Sequence, residues 1–171
     1  DIGLKSFSTA SGIEQIVNAT SNGSVVRLLG DWSANTLDFS SVSFVGGNFL
    51  LDGGDGNDTI KGTSLADRIR GGRDADSLDG RDGSDVYEVT GAGPDWVSGV
   101  PYTFQGYDSY TDSGSAADTD SLVATGTAAV DIGLKSFSTA SGIEQIVNAT
   151  SNGSVVRLLG DWSANTLDFS S

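Results

Sequence analysis

The sequence contains no cysteine, no histidine and no methionine. Without thiols the chain can build neither a disulfide framework nor a thiolate metal site, and without imidazole it lacks the commonest general base and the commonest transition-metal ligand. Basic residues are scarce too, nine Lys and Arg against 23 acidic residues, for a formal charge of −14. Nucleic acid therefore finds no cationic footprint. No apolar run approaches the roughly 18 residues that would span a bilayer, which argues against membrane insertion, and the N-terminus shows no charged-then-apolar leader. Neither GTSLA (62–66) nor SNGSV (21–25) can act as a nucleophile elbow without a histidine partner, so a non-catalytic chain is expected.

Aspartate and glycine are what the chain has in excess. Only Glu14, Glu88 and Glu144 among the 23 acids are glutamate, which leaves 20 aspartates beside 24 glycines. Asp suits turns better than strands or helices and is a hard oxygen ligand, so this bias points to metal-lined turns. Helical periodicity is weak throughout, and residues 11–19 with their copy at 141–149 are the only stretch that could carry a short helix. Brief β-branched or apolar runs at 25–29, 36–39, 42–44 and 49–51, separated by Gly, Asn, Asp and Ser, fit short strands.

Residues 131–171 repeat residues 1–41 letter for letter. Surface positions drift freely, so identity on that scale reflects duplication, and the chain reads as one full unit followed by the start of the next. The central stretch carries a finer repeat, GGDGNDTIK (53–61), GTSLADRIR (62–70), GGRDADSLD (71–79) and GRDGSDVYE (80–88). Asp58, Asp67, Asp76 and Asp85 recur every nine residues, and Ile60, Ile69, Leu78 and Tyr87 follow two places later. This pattern resembles the glycine- and aspartate-rich nonapeptide of the RTX proteins, a calcium-binding parallel β-helix repeat.

The resemblance implies an all-β fold, a right-handed parallel β-roll stabilised by calcium, with irregular flanking rungs. Six residues of each nonapeptide make a turn whose glycines allow left-handed backbone, and the last three make a strand with an inward apolar residue. Two nonapeptides then complete one coil of about 18 residues. Asp58 and Asp76 fall on one edge of the roll, Asp67 and Asp85 on the other. At least two calcium ions are expected, one bridging 58 with 76 and one bridging 67 with 85. The candidate ligand set is Gly53, Asp55, Asn57 and Asp58; Gly62, Ser64, Ala66 and Asp67; Gly71, Arg73, Ala75 and Asp76; and Gly80, Asp82, Ser84 and Asp85. Sixth-position carboxylates and turn oxygens together would approach the six to eight that calcium requires. Leu65 occupies the place of the fourth-position glycine, where positive φ would strain it, so Asp67 is expected to be the weakest of the four aspartates.

Around this core, GDWSANTLD (30–38) reads as a degenerate nonapeptide with Asn35 in the aspartate position and Leu37 in the apolar one, a coil without metal. Its offset to Gly53 exceeds one coil, so wider rungs are expected to lead into the roll. Asp52, Arg70 and Glu88 are spaced to form a charge ladder on one face, and Lys61 with Asp79 on the other; the alternative is a cationic stripe of Lys61, Arg68 and Arg70 for an anionic polysaccharide. The segment 94–110 collects Trp96, Tyr102, Phe104, Tyr107 and Tyr110 with both prolines, and reads as an aromatic cap over the end or side of the roll, the alternative being a loop that stacks on a sugar or peptide.

The chain thus divides into a metal-poor solenoid flank (1–52), a calcium-binding roll (53–90), a cap and connector (91–130) and the start of the next repeat (131–171). The reading that follows is a calcium-dependent extender or display unit of a large bacterial RTX adhesin, exported by a type I system and folding on the cell surface or outside the cell. Its expected partners are calcium, neighbouring repeats and, end to end, other copies of itself. The alternatives are an accessory polysaccharide-binding module of a secreted enzyme, and a surface-layer subunit.

Overall fold

The computed structural model describes residues 1–20, 22–90, 104–114, 117–151, 153–163 and 165–169, with the backbone alone at Phe104 and Gln105. Its strands are, in chain order, β1 (Ile2–Gly3), β2 (Gln15–Val17), β3 (Val26–Leu29), β4 (Thr36–Asp38), β5 (Ser43–Val45), β6 (Phe49–Gly54), β7 (Thr59–Lys61), β8 (Arg68–Gly72), β9 (Ser77–Asp79) and β10 (Val86–Thr90). These are followed by β11 (Phe104–Thr111), β12 (Ser121–Thr125), β13 (Val130–Ser136), β14 (Gln145–Asn148) and β15 (Val156–Gly160). Residues 11–19 form no α-helix: a 3-10 turn at Thr9–Ser11 ends at Gly12 in left-handed conformation, and β2 follows. Among the described residues no helix is long and apolar enough to cross a membrane.

Among the described residues every strand pairing is parallel. One sheet has the order β1-β3-β6-β8-β10-β12-β14, the second β15-β13-β11-β9-β7-β4, and a small third sheet pairs β2 with β5. Parallel neighbours joined by short turns can only be reached by winding, so the chain alternates between the two large sheets as a solenoid. Register follows the nonapeptide: Leu51 sits beside Ile69 and Ile60 beside Leu78, each 18 residues on. The middle residue of each three-residue strand points inward, which stacks Leu28, Leu51, Ile69, Tyr87 and Leu122 against Leu37, Ile60, Leu78 and Tyr110, all buried. Each such side chain contributes about 1.5–3 kcal/mol by leaving water. Leu78→Ala is therefore expected to cost about 2–5 kcal/mol in denaturant unfolding at saturating calcium; an unchanged midpoint would mean that the interior is not a packed core.

The wider rungs expected before the roll are present. Leu37 pairs with Ile60 across 23 residues and Ile2 with Leu28 across 26, the excess being taken up by β2 and β5 as a third side. Phe44 fills that side, stacked on Phe49 with ring centroids 4.5 Å apart and leaning on Phe39 at 5.7 Å.

The aromatic cap expected over 94–110 requires correction. Residues 94–103 lie outside the described residues, and residues 104–111 are β11, a rung held between β9 and β13. From Gly106 to Tyr110 alternate residues are buried, as in the other strands. The aromatic content masked this period-two pattern.

The second copy reproduces the first within itself. Ile132 pairs with Leu158 and Phe137 with Leu167 as Ile2 pairs with Leu28 and Phe7 with Leu37. It also uses edges that the first copy leaves open: β13 lies on β11, and β14 lies on β12. The second copy is thus a continuation of the same solenoid within the chain.

Candidate metal centre

The nine-residue turns fall into two conformational classes. In turns 53–58, 71–76 and 80–85 the second and fourth residues both have positive φ: Gly54 at 103° and Gly56 at 105°, Gly72 at 114° and Asp74 at 76°, Arg81 at 74° and Gly83 at 114°. Turns 30–35 and 62–67 have no residue of positive φ. Their second N–H instead closes onto the sixth side chain: Asp31 donates to Asn35 Oδ1 at 2.7 Å, and Thr63 donates to Asp67 Oδ2 through its N–H at 2.6 Å and its hydroxyl at 3.0 Å. Leu65 is thus not strained, because the turn adopts a different backbone in which Thr63 takes over the carboxylate.

The sixth residues form two columns along the edges of the roll. On one edge Asn35 N donates to Asp58 Oδ1 at 2.7 Å, Asp58 N to Asp76 Oδ1 at 2.8 Å, and Asp76 N to Asp108 Oδ1 at 3.0 Å. On the other, Asp67 N donates to Asp85 Oδ1, Asp85 N to Asp120 Oδ1, and Asp120 N to Glu144 Oε2, each at 2.7 Å. One oxygen of Asp58, Asp76, Asp108, Asp85 and Asp120 is thereby committed to the preceding turn. The second oxygen distinguishes them. Asp58, Asp76, Asp85 and Asp120 are at most 3% exposed, yet their Oδ2 atoms have no hydrogen-bond partner. Asp67 Oδ2 is taken by Thr63, and Asp108 Oδ2 accepts the Tyr110 hydroxyl at 3.0 Å.

A buried carboxylate oxygen without a partner costs several kcal/mol unless it is protonated or meets a cation. Burial, aided by neighbouring carboxylates, pushes Asp76 and Asp85 up to about 8, and Asp58 and Asp120 up to about 6. Backbone N–H donors oppose this shift without cancelling it. A hard dication held there would supply the missing positive charge and join oxygens of successive turns. Among the described residues no three carboxylates converge into a side-chain cage. An ion at these edges must draw most of its ligands from backbone carbonyls, a donor set that favours calcium over zinc or copper.

The other candidate residues divide by position. Gly53, Gly62, Gly71 and Gly80 head the turns so closely that a Cβ on Gly71 would run into Asp76 Oδ2, and one on Gly53 into Asp58 Oδ2 and the Gly71 carbonyl. Asn57 and Ser84 lace turns together, Asn57 Oδ1 accepting from Ala75 N at 3.0 Å and Ser84 Oγ from Thr119 N at 3.0 Å. Asp55 faces Arg73 at 3.8 Å on the surface, and Ser64, Ala66 and Asp82 are exposed. Five residues outside the candidate set take part in the columns: Asn35, Thr63, Asp108, Asp120 and Glu144. Asp108 and Asp120 escaped notice because they stand 32 and 35 residues beyond their partners instead of 18.

The charge ladder is formed on one face. Arg70 lies 3.3 Å from Asp52 and 2.9 Å from Glu88, and Arg68 Nε donates to Glu88 at 2.9 Å. On the other face Lys61 and Asp79 are strand neighbours, and Asp79 also accepts from Ser113 N at 3.0 Å. Arg68 and Arg70 are therefore engaged inside the molecule, which weakens the cationic stripe.

The family model of the RTX calcium-binding nonapeptide repeat matches residues 52–87 in four copies. No curated protein and no solved structure matches the chain. Residues 52–87 are accordingly an RTX calcium-binding repeat array, and the parallel sheets that flank them extend the same roll.

Proposed function

We propose that the chain is a non-catalytic, calcium-loaded extender or display unit of a secreted or cell-surface RTX adhesin. The proposed divisions are 1–52, 53–90, 91–130 and 131–171, the third of which contributes the rung β11. The observation that carries the reading is the junction between copies. β13 from Asp131 onward and β14, identical in sequence to residues 1–6 and 15–18, stack directly on β11 and β12, so a unit can follow another with no hinge. Repetition in this form gives one stiff rod.

Calcium supplies the folding condition. A chain of charge −14 whose turns bury carboxylates resists folding where calcium is scarce and folds where it is plentiful, which suits passage through a secretion channel before folding outside. The test is small-angle scattering from a chain of two or more complete units in calcium. A stiff particle whose length grows in proportion to unit number is expected. A profile of compact bodies joined by free hinges would overturn the extender reading and favour an accessory module.

A further inference from the structure

The last recognised nonapeptide turn, 80–85, has a neighbour that the repeat pattern does not include. Residues 117–120 dock on it through the same three hydrogen bonds by which turn 71–76 docks on turn 53–58. At the sixth position Asp58 N donates to Asp76 Oδ1 at 2.8 Å, and Asp85 N to Asp120 Oδ1 at 2.7 Å. At the fourth, Gly56 N donates to Asp74 Oδ2 at 3.2 Å, and Gly83 N to Asp118 Oδ2 at 2.9 Å. At the fifth, Ala75 N donates to Asn57 Oδ1 and Thr119 N to Ser84 Oγ, both at 3.0 Å. The strands that follow continue in register, Tyr87 beside Leu122.

The two junctions also share an electrostatic defect. Each holds two fully enclosed aspartates whose Oδ2 atoms lack any partner, Asp58 with Asp76 and Asp85 with Asp120; Asp120 is 0% exposed. The junction between 67 and 85, which nonapeptide spacing singles out, differs. Asp67 Oδ2 is already satisfied by Thr63, so that junction has one open oxygen and not two.

We infer that a calcium ion is held between turn 80–85 and the segment 117–120, with Asp85 and Asp120 as its carboxylate ligands, and that Asp67 is not a ligand. The calcium-binding roll then reaches past residue 87 into sequence without nonapeptide character. This inference rests on the calcium reading above. It places the second ion at the junction leading towards the next copy, where Glu144 of the second copy accepts the Asp120 N–H at 2.7 Å, so the same ion couples filling of the roll to seating of the following unit.

Calcium stoichiometry of the 171-residue chain, measured by equilibrium dialysis with circular dichroism at saturating calcium, tests it. Asp120→Asn keeps an oxygen for the Asp85 N–H, as Asn35 does in its own turn, and is expected to bind one ion fewer while remaining β-rich. Asp67→Asn is expected to bind as many ions as the parent chain. Loss of an ion in Asp67→Asn, or an unchanged count in a folded Asp120→Asn, would overturn the inference. Should Asp120→Asn not fold, the Asp67→Asn count decides alone. A parent chain that binds no calcium would instead overturn the calcium reading itself.

Discussion

In the presence of chelator, lowering the pH from about 8 to about 5 is expected to increase β structure in the chain. The cause is a set of carboxyls that the fold buries without cations. Burial raises Asp76 and Asp85 to about 8 and Asp58, Asp108 and Asp120 to about 6, against 3.8 for an unperturbed aspartate. Over this window the folded, calcium-free state binds more protons than the unfolded one, so stability falls as pH rises through the folded values. Asp31, held near 2 chiefly by its Ser33 hydrogen bond, is ionised in both states here and adds no slope. Calcium should remove most of this dependence at neutral pH by taking the place of the protons. Far-UV circular dichroism across the range checks the sign. A calcium-free chain that loses β structure on acidification would show that these carboxyls are not the obstacle to folding.

The second large effect separates Asp76 from Asp67. Asp76 lies inside its column, buried between Asp58 and Asp108, with an oxygen that nothing in the protein satisfies. Removing it deletes a proposed calcium ligand and also the acceptor of the Asp58 N–H. Asp76→Ala is expected to raise the calcium midpoint for folding by roughly tenfold or more, equivalent to at least about 1.4 kcal/mol. Asp67→Ala removes a carboxylate that its own turn already satisfies through Thr63, and its shift should be several times smaller. Equal shifts in calcium titrations of the two variants would mean that partner-free oxygens do not identify the ion sites.

The roll was legible because two periods reinforce each other. Apolar residues at Ile60, Ile69, Leu78 and Tyr87 fix the inward face, and the aspartates two places earlier fix the turn, so strand, register and the 58 to 76 and 67 to 85 neighbours could all be read by counting. Counting fails where a junction tolerates insertion. Asp120 reaches Asp85 because parallel pairing requires only that a strand return to the right height, however long its excursion, and nothing in ADTDSL (117–122) repeats the glycines. Leu65 marked turn 62–67 as a departure, but what sets that turn apart is Thr63, whose N–H and hydroxyl occupy one oxygen of Asp67. That arrangement depends on backbone conformation and leaves no periodic trace. The 104–111 rung was hidden in the same way, since five aromatics and two prolines within 94–110 suggested a cap while the alternation from Gly106 to Tyr110 continued the sheet. The paired copies show the same rule from the other side: identical sequence repeats its internal pairings, Ile132 with Leu158 as Ile2 with Leu28.

The central claim is that calcium completes this fold, and a titration of the calcium-free chain at neutral pH followed by far-UV circular dichroism tests it most directly. The account predicts a largely disordered spectrum in chelator that turns cooperatively to β structure on addition of calcium, with no such change on equimolar magnesium, whose smaller, stricter octahedral shell suits a cage of backbone carbonyls poorly. A β-rich spectrum that persists unchanged in excess chelator at neutral pH would contradict it.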